Sequence, residues 1–166
     1  MVEPSQLAAL AIPLILGATA LLLLTVDAVL PRPPNRKQLL GLSGIGTLLA
    51  IAVGVWFLAA GVGDPDGKGI FTLLDGQLIV DRMSLFFGVL VASVTFLVLL
   101  ASYDYLAGHN NQAEFYALVT LAATGMALMA SANSLATVAV SLELASLPSY
   151  ALVAFLKRNR GSVEAG

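Results

Sequence analysis

Long apolar runs that are almost free of charged residues dominate this 166-residue chain. A helix that crosses the hydrocarbon core of a bilayer needs about 20 mostly apolar residues. Four runs reach that length: Ser5–Val26, Gln38–Gly63, Met83–Tyr103 and Phe115–Leu156. The last run is long enough for two helices, and the polar sequence SANS at Ser131–Ser134 offers a turn between them. The sequence therefore predicts an all-α integral membrane fold with five transmembrane helices.

The composition indicates that lipid, not water, surrounds most of the chain. Hydrophobic residues make up 58% of the sequence and charged residues 11%, whereas a soluble domain has about a quarter charged residues. The net charge of −2 argues against a nucleic-acid partner, which would need a basic surface. No cysteine is present to bind zinc or an iron–sulfur cluster, and the single histidine, His109, lies in the polar stretch GHNNQ. We therefore expect this chain to bind no metal and no cofactor.

The first apolar run differs from a secretory signal peptide. Such a signal has a basic segment followed by an apolar stretch of about 7–15 residues. This chain instead begins MVEPSQ, without a basic residue, and continues into a longer apolar run. We predict that the run is a retained transmembrane helix.

Lysine and arginine residues set the predicted orientation, because loops rich in them stay in the cytoplasm. Three lie between the first and second spans and three follow the fifth: Arg32, Arg36, Lys37, Lys157, Arg158 and Arg160. With five spans both groups fall on one side, and the other side receives only Lys68 and Arg82. The sequence predicts a multi-pass protein of the prokaryotic cell membrane, with its N-terminus outside and the end of this chain in the cytoplasm.

The loop at residues 62–81, on the predicted outer side, contains a turn signal. Asp75 and Gly76 lie between the apolar stretches GIFTLL and QLIV. An Asp-Gly pair tolerates positive φ at both central positions of a tight hairpin turn. We predict a short β-hairpin on the outer face, with an irregular loop as the alternative.

Small residues recur at every fourth position on two predicted helices. The second span contains one such stripe and the fourth span another: Gly46, Ala50 and Gly54, then Ala123, Ala127 and Ser131. This spacing lets helix backbones approach closely in lipid. The stripes predict a helix bundle and indicate no particular chemistry.

One acid, Glu143, lies near the middle of the predicted fifth span, in the sequence TVAVSLELASLPSYALVAF. A charged side chain at a helix centre costs roughly 2.5–3.5 kcal/mol on insertion scales. Three interpretations compete. Glu143 is protonated because low dielectric disfavours the carboxylate, or it pairs with a buried cation, or it forms a hydrogen bond that holds helices together. The first two combine into a proton carrier.

Three residues near Glu143 favour a working site. Ser146 and Tyr150 lie three and seven positions further on, so they share a helical stripe with the acid. Pro148 cannot donate a backbone hydrogen bond to the Leu144 carbonyl, and a freed carbonyl can hold water. An ordinary membrane-helix kink is the alternative interpretation of this proline. No lysine or arginine lies inside the five spans, so a partner cation must come from residues beyond Gly166 or from another chain.

The sequence from Glu114 to Phe155, EFYALVTLAATGMALMASANSLATVAVSLELASLPSYALVAF, resembles the fourth and fifth helices of subunit N of proton-pumping NADH-quinone oxidoreductase, complex I. LELASLPSYALVAF favours subunit N over its paralogues, subunits L and M and the Mrp-type antiporter subunits. DGQLIVDRMSLFFGVL is similar to the family's hairpin and third helix, and SVEAG to the approach to its sixth helix.

The resemblance implies a fourteen-helix subunit in which two inverted five-helix repeats follow three leading helices. Residues 1–104 then correspond to the leading helices, with the hairpin loop at 62–81, and residues 105–166 to the first two helices of the first repeat and a cytoplasmic tail. Glu143 matches the fifth-helix acid, which in the family pairs with a lysine on a broken seventh helix. The parent complex uses NADH and quinone, and its other membrane subunits are the implied partners.

The resemblance also implies that this chain is a fragment of a longer subunit, with a naturally short, recruited subunit as the alternative. The expected function is therefore that of a membrane-arm subunit carrying the coupling glutamate of a proton path. Two alternatives stay open at the level of sequence. The chain could be a subunit of a multi-subunit Mrp-type cation/proton antiporter, or a structural membrane subunit that transports nothing.

Overall fold

The computed structural model describes residues 10–29, 36–63, 71–106 and 111–155. Within them the chain forms five helices and one two-stranded sheet, in the order α1 Ala11–Val29, α2 Arg36–Ala59, β1 Phe71–Leu73, β2 Leu78–Val80, α3 Arg82–Tyr105, α4 Gln112–Ala130 and α5 Leu135–Val153. All five helices are long and apolar enough to cross a membrane. The predicted five-span fold is therefore confirmed. The residues before Leu10 and most of the predicted basic loops lie outside the described residues.

Local hydrogen bonds fix where the helices begin. α3 starts with a capping box in which the Ser84 backbone N–H donates to the Asp81 carboxylate over 2.7 Å, and the Asp81 N–H donates to the Ser84 hydroxyl over 3.0 Å. The Ser134 hydroxyl accepts from the Thr137 N–H over 3.1 Å at the start of α5. The polar SANS sequence therefore divides the last apolar run as predicted, because its final serine caps the next helix.

The second helix ends earlier than the apolar run does. α2 stops at Ala59, and Gly61 adopts a φ of +72°. The Gly61 N–H donates to the Leu58 carbonyl and the Val62 N–H to the Phe57 carbonyl, which is the Schellman pattern of helix termination. Val62 is buried in the apolar core beside the helix end. The apolar residues after Ala59 therefore cap the bundle rather than extend the span.

The first four helices form a bundle, and the fifth lies at its edge. α4 is the central helix and packs against α1, α3 and α5, while α2 packs between α1 and α3. α5 packs chiefly against α4. One face of α5 is therefore turned away from the rest of the described chain.

Close contacts through glycine hold the first three helices together. Gly46 on α2 lies against the Thr19 side chain of α1. Ile12 of α1 fits between Gly54 on α2 and Gly88 on α3, where an added Cβ would lie 2.8 Å and 2.9 Å from its Cδ1 atom. The predicted small-residue stripe on α2 is therefore confirmed as a site of close helix approach.

The fourth helix uses small residues on two faces. The predicted stripe, Ala123, Ala127 and Ser131, is buried toward the bundle. A separate contact faces α5, where a Cβ added to Gly125 would lie 2.5 Å from the Ala145 backbone nitrogen and 2.8 Å from the Leu144 carbonyl carbon. The stripe alone did not reveal this contact, which positions α5 on α4.

Threonine hydroxyl groups inside the bundle are satisfied by their own helices. The buried threonines each donate to a backbone carbonyl three or four residues earlier, as seen for Thr19, Thr47, Thr95, Thr120 and Thr124. Such bonds leave no unmet donor in an apolar setting. These threonines therefore let the helices pack closely without burying an unpaired hydroxyl donor.

The predicted β-hairpin is present at one end of the bundle. β1 and β2 pair antiparallel with Leu73 opposite Leu78, and the Gln77 N–H donates to the Leu74 carbonyl over 3.1 Å. Asp75 and Gly76 occupy the two central turn positions with φ of +55° and +84°. The turn chemistry of the Asp-Gly pair is therefore confirmed, although Leu74 also has a positive φ of +52°, which the sequence did not indicate.

The hairpin is joined to the turn between α4 and α5. The Asn133 side-chain amide donates to the Gly76 carbonyl over 2.7 Å, and the Asn133 N–H donates to the Gln77 carbonyl over 2.9 Å. The Ile79 N–H donates to the Ser131 carbonyl over 2.8 Å. The SANS turn therefore ends α4 and also forms hydrogen bonds with the hairpin.

We expect Gly125→Ala to destabilise the bundle, because the new methyl group would meet the α5 backbone, which cannot move like a side-chain end. Overpacking of this kind costs about 1–3 kcal/mol. The free energy of unfolding, measured by denaturant titration in detergent, checks this. Gly41→Ala is the matched control, because a Cβ at Gly41 meets nothing within 4 Å. Equal stability of both variants would contradict the proposed close approach of α4 and α5.

Candidate functional site

α5 is the most exposed of the five helices. Only 17% of its most apolar 18-residue stretch is buried, against 33–50% in the other four. Its buried residues, Ser141, Ala145 and Pro148, face α4. The opposite face presents large apolar side chains, including Leu142 and Leu147. A membrane helix with such a face has room for further helices against it.

Glu143 lies in the middle of α5 on the exposed side. The expectation that burial surrounds this acid with low dielectric is therefore not met by the described part of the chain. Any apolar surrounding of Glu143 must come from the bilayer or from protein outside these residues. The structure thus places the predicted acid at mid-span, with its side chain directed away from α4.

Ser146 and Tyr150 lie along the same side of α5 as Glu143. Tyr150 is 59% exposed and Ser146 is half-buried. The Ser146 hydroxyl donates to the Glu143 backbone carbonyl over 3.4 Å, so this bond joins it to the main chain and not to the carboxylate. The three polar side chains share a stripe, as their spacing predicts, but Ser146 acts on the backbone.

Pro148 lies on the other side of the helix from the acid. It is buried toward α4, and α5 continues through it to Val153. The Leu144 carbonyl lacks its usual N–H donor because residue 148 is proline. The proline ring itself is not brought to the Glu143 side chain. Any influence of Pro148 on the acid must therefore pass through the helix backbone.

A fourth residue, Ser149, joins this local pattern and was missed at the level of sequence. Its hydroxyl donates to the Ala145 carbonyl over 2.7 Å. The carbonyls on both sides of Leu144 therefore accept hydroxyl groups, from Ser146 and Ser149. A serine four positions after a carbonyl often bonds in this way, so the spacing of Ser149 from Ala145 was the available signal.

Basic residues of the described chain lie at helix ends. Lys37 is in the first turn of α2, and Arg82 is the first residue of α3. α4, the helix that α5 packs against, contains no lysine or arginine. The described helices therefore bring no basic side chain to the level of Glu143, and the acid faces outward at mid-span.

Comparison with known proteins identifies relatives along almost the whole chain. No protein-family model matches it. It is 34% identical over 154 residues, 91% of this chain, to NADH-quinone oxidoreductase subunit N 2 of Koribacter versatilis. It is 37% identical over 153 residues, 92% of the chain, to subunit N of the same enzyme from Dehalococcoides mccartyi. It is also 37% identical over 157 residues, 93% of the chain, to F(420)H(2) dehydrogenase subunit N of Methanosarcina mazei.

These matches extend beyond the resemblance noted in the sequence, because 91–93% coverage includes most of the first two spans. The chain spans about three-tenths of the length of the relatives, 30% of the Koribacter protein and 31% of the Methanosarcina protein. The five membrane-length helices fit a multi-pass membrane protein. Over almost its whole length, the chain therefore matches the N-terminal portion of the subunit N proteins of NADH-quinone oxidoreductase.

Proposed function

We propose that this chain is part of a membrane-arm subunit of a proton-pumping quinone oxidoreductase, and that Glu143 is the coupling carboxyl of its proton path. The observation that carries the proposal is the position of the acid, at mid-span on the uncovered face of α5. The relatives support the parent complex, since they are named as subunits of NADH-quinone oxidoreductase.

A charged carboxylate in the middle of a membrane is energetically costly. An acid in bare hydrocarbon at a helix centre costs roughly 2.5–3.5 kcal/mol, so such residues face a bundle interior or a water-filled cavity. The described helices leave Glu143 outside their own bundle. Further helices against α5 would enclose the acid and supply a cation or water. The resemblance assigns that cation to a lysine on the family's seventh helix.

The chemistry needed from Glu143 is a reversible proton transfer. An excess proton carried along the waters of the path binds the carboxylate and gives a neutral acid, which is stable in low dielectric. When a cation approaches, the charged carboxylate is favoured and the proton passes to the next water. The Leu144 carbonyl, which has no donor from Pro148, is a place where such a water could bind. Tyr150 and Ser146 extend the polar stripe toward one membrane face.

Electron transfer belongs elsewhere in the parent complex. The names of the relatives include both an NADH-quinone oxidoreductase and an F(420)H(2) dehydrogenase, so a subunit of this family is compatible with more than one electron donor. We propose that NADH or another donor and quinone react on other subunits, and that this chain contributes proton movement. Its direct partners are then the neighbouring membrane subunits and lipid.

The Glu143→Gln variant of the full-length subunit should assemble but pump fewer protons. Glutamine keeps the hydrogen-bonding groups and cannot carry the proton, and a positioned acid–base group contributes typically about 10²-fold or more. Proton uptake per electron in inside-out vesicles measures the effect. Glu114→Gln is the matched control, because Glu114 is exposed at the start of α4, where it accepts a hydrogen bond from Asn111 over 3.0 Å.

Two results would count against this role of Glu143. The first is a normal ratio of protons to electrons in Glu143→Gln. The second is intact pumping in that variant combined with failed assembly of Glu143→Leu, because this pair of results would show that the acid only holds helices together through a hydrogen bond.

The proposed orientation is tested by cysteine labelling, since the native chain has no cysteine. Asp75 lies in the hairpin turn, and Asn111 lies at the far end of α4 from the hairpin-bound SANS turn. With the N-terminus outside, a membrane-impermeant maleimide should label Asp75→Cys in intact cells and Asn111→Cys only after the cells are opened. The reverse labelling pattern would show the opposite topology. The unmodified chain is the background control.

A further inference from the structure

A groove between α2 and α3 is separate from the face that carries Glu143. Its volume is about 410 Å³, and it begins at Lys37 and Tyr103 and runs along both helices. α5 does not line it.

The length of the groove limits its occupant. Along α2 it extends from Lys37 to Leu48, about 16 Å at 1.5 Å per residue. The hydrocarbon core of a bilayer is about 30 Å thick. The groove therefore spans about one leaflet. A spanning helix would need a matching surface across both leaflets, whereas a phospholipid acyl chain occupies only one.

The width of the groove comes from two glycines. A Cβ at Gly41 would meet nothing within 4 Å, and one at Gly44 would lie 3.7 Å from the Phe96 ring on α3. The walls are apolar and partly open, since Ile45 is 68% exposed and Leu100 is 47% exposed. Because glycine has no side chain, these two positions leave a channel lined by hydrocarbon, which fits an acyl chain lying along the helices.

The polar groups of the groove are concentrated at one end. Lys37 is exposed in the first turn of α2, and the Tyr103 side chain lines the same end near the last turn of α3. Asp104 follows Tyr103 in the chain and does not line the groove. An ammonium group at the membrane surface attracts the phosphate of anionic lipids, and tyrosine is enriched at that depth.

We propose that the α2–α3 groove binds one anionic phospholipid, with an acyl chain along Gly41 and Gly44 and its headgroup phosphate at Lys37. The match between an apolar channel one leaflet long and a cationic end carries this assignment. The site is independent of proton transfer at Glu143. It places a structural lipid against the two helices that lead into and out of the hairpin.

The test uses the subunit in its assembled membrane complex, reconstituted into nanodiscs. A photoactivatable phosphatidylglycerol with its reactive group in the acyl chain should label residues 37–48 or 96–103, and a matched phosphatidylcholine probe should label them more weakly.

Lys37→Gln should lower the labelling by phosphatidylglycerol about fivefold. Gly41→Leu should abolish it, because a Cβ at Gly41 meets nothing within 4 Å and the rest of the leucine side chain would fill the channel. Ala52→Leu, on an exposed part of α2, is the size control, and Arg82→Gln, at the far end of α3, is the charge control.

Several outcomes would overturn the lipid site. Equal labelling by the two headgroups, or labelling that neither Lys37→Gln nor Gly41→Leu changes, would indicate unspecific boundary lipid. Cross-linking of the groove to another polypeptide in the intact complex would assign it to a protein partner. If both variants assemble at the level of the unmodified protein, loss of labelling in Ala52→Leu as well as in Gly41→Leu would show that the labelled lipid does not lie in the groove.

Discussion

The close approach of helix backbones at glycine is the constraint on which this bundle depends. Lipid gives little hydrophobic force for bringing apolar helices together, so packing and interhelical contacts must do so. Ile12 fits between two glycines on α2 and α3, and the α5 backbone lies against Gly125 on α4. The second contact has a functional consequence. By fixing the face of α5 that meets α4, it turns Glu143 outward.

Several polar side chains of the described residues form hydrogen bonds with groups close to them in the sequence. Buried threonines bond to their own helices, and Asp81 and Ser134 cap helix starts. Asn133 ties the hairpin to the α4–α5 turn. Glu143 is the exception, because the described residues give its side chain no burial. In the proposed function, further helices against α5 would enclose this outward-facing acid.

Much of the fold could be predicted because the length and hydropathy of a segment decide whether it crosses a membrane. Length and hydropathy located all five helices, and Asp-Gly and SANS located the two breaks that matter, the hairpin turn and the α4–α5 turn. Other features could not be predicted. Tyr116 is fully buried in the bundle whereas Tyr105 is 55% exposed, and the sequence does not distinguish the two. The contact of Gly125 with the α5 backbone could not be predicted, because the spacing of glycines does not indicate which of them contacts another helix.

The sequence by itself determined that this chain crosses a bilayer, where its spans lie, and that one of them carries an acid with no basic residue near the middle of any span. Tertiary structure alone decided which way that acid points and which glycines form contacts or open a groove. The physical reason is that membrane helices are apolar on all sides, so they lack the polar face that orients a helix in a soluble protein. Only the packing of α4 against α5 distinguishes the inner face of α5, with Ala145 and Pro148, from the outer face, with Glu143.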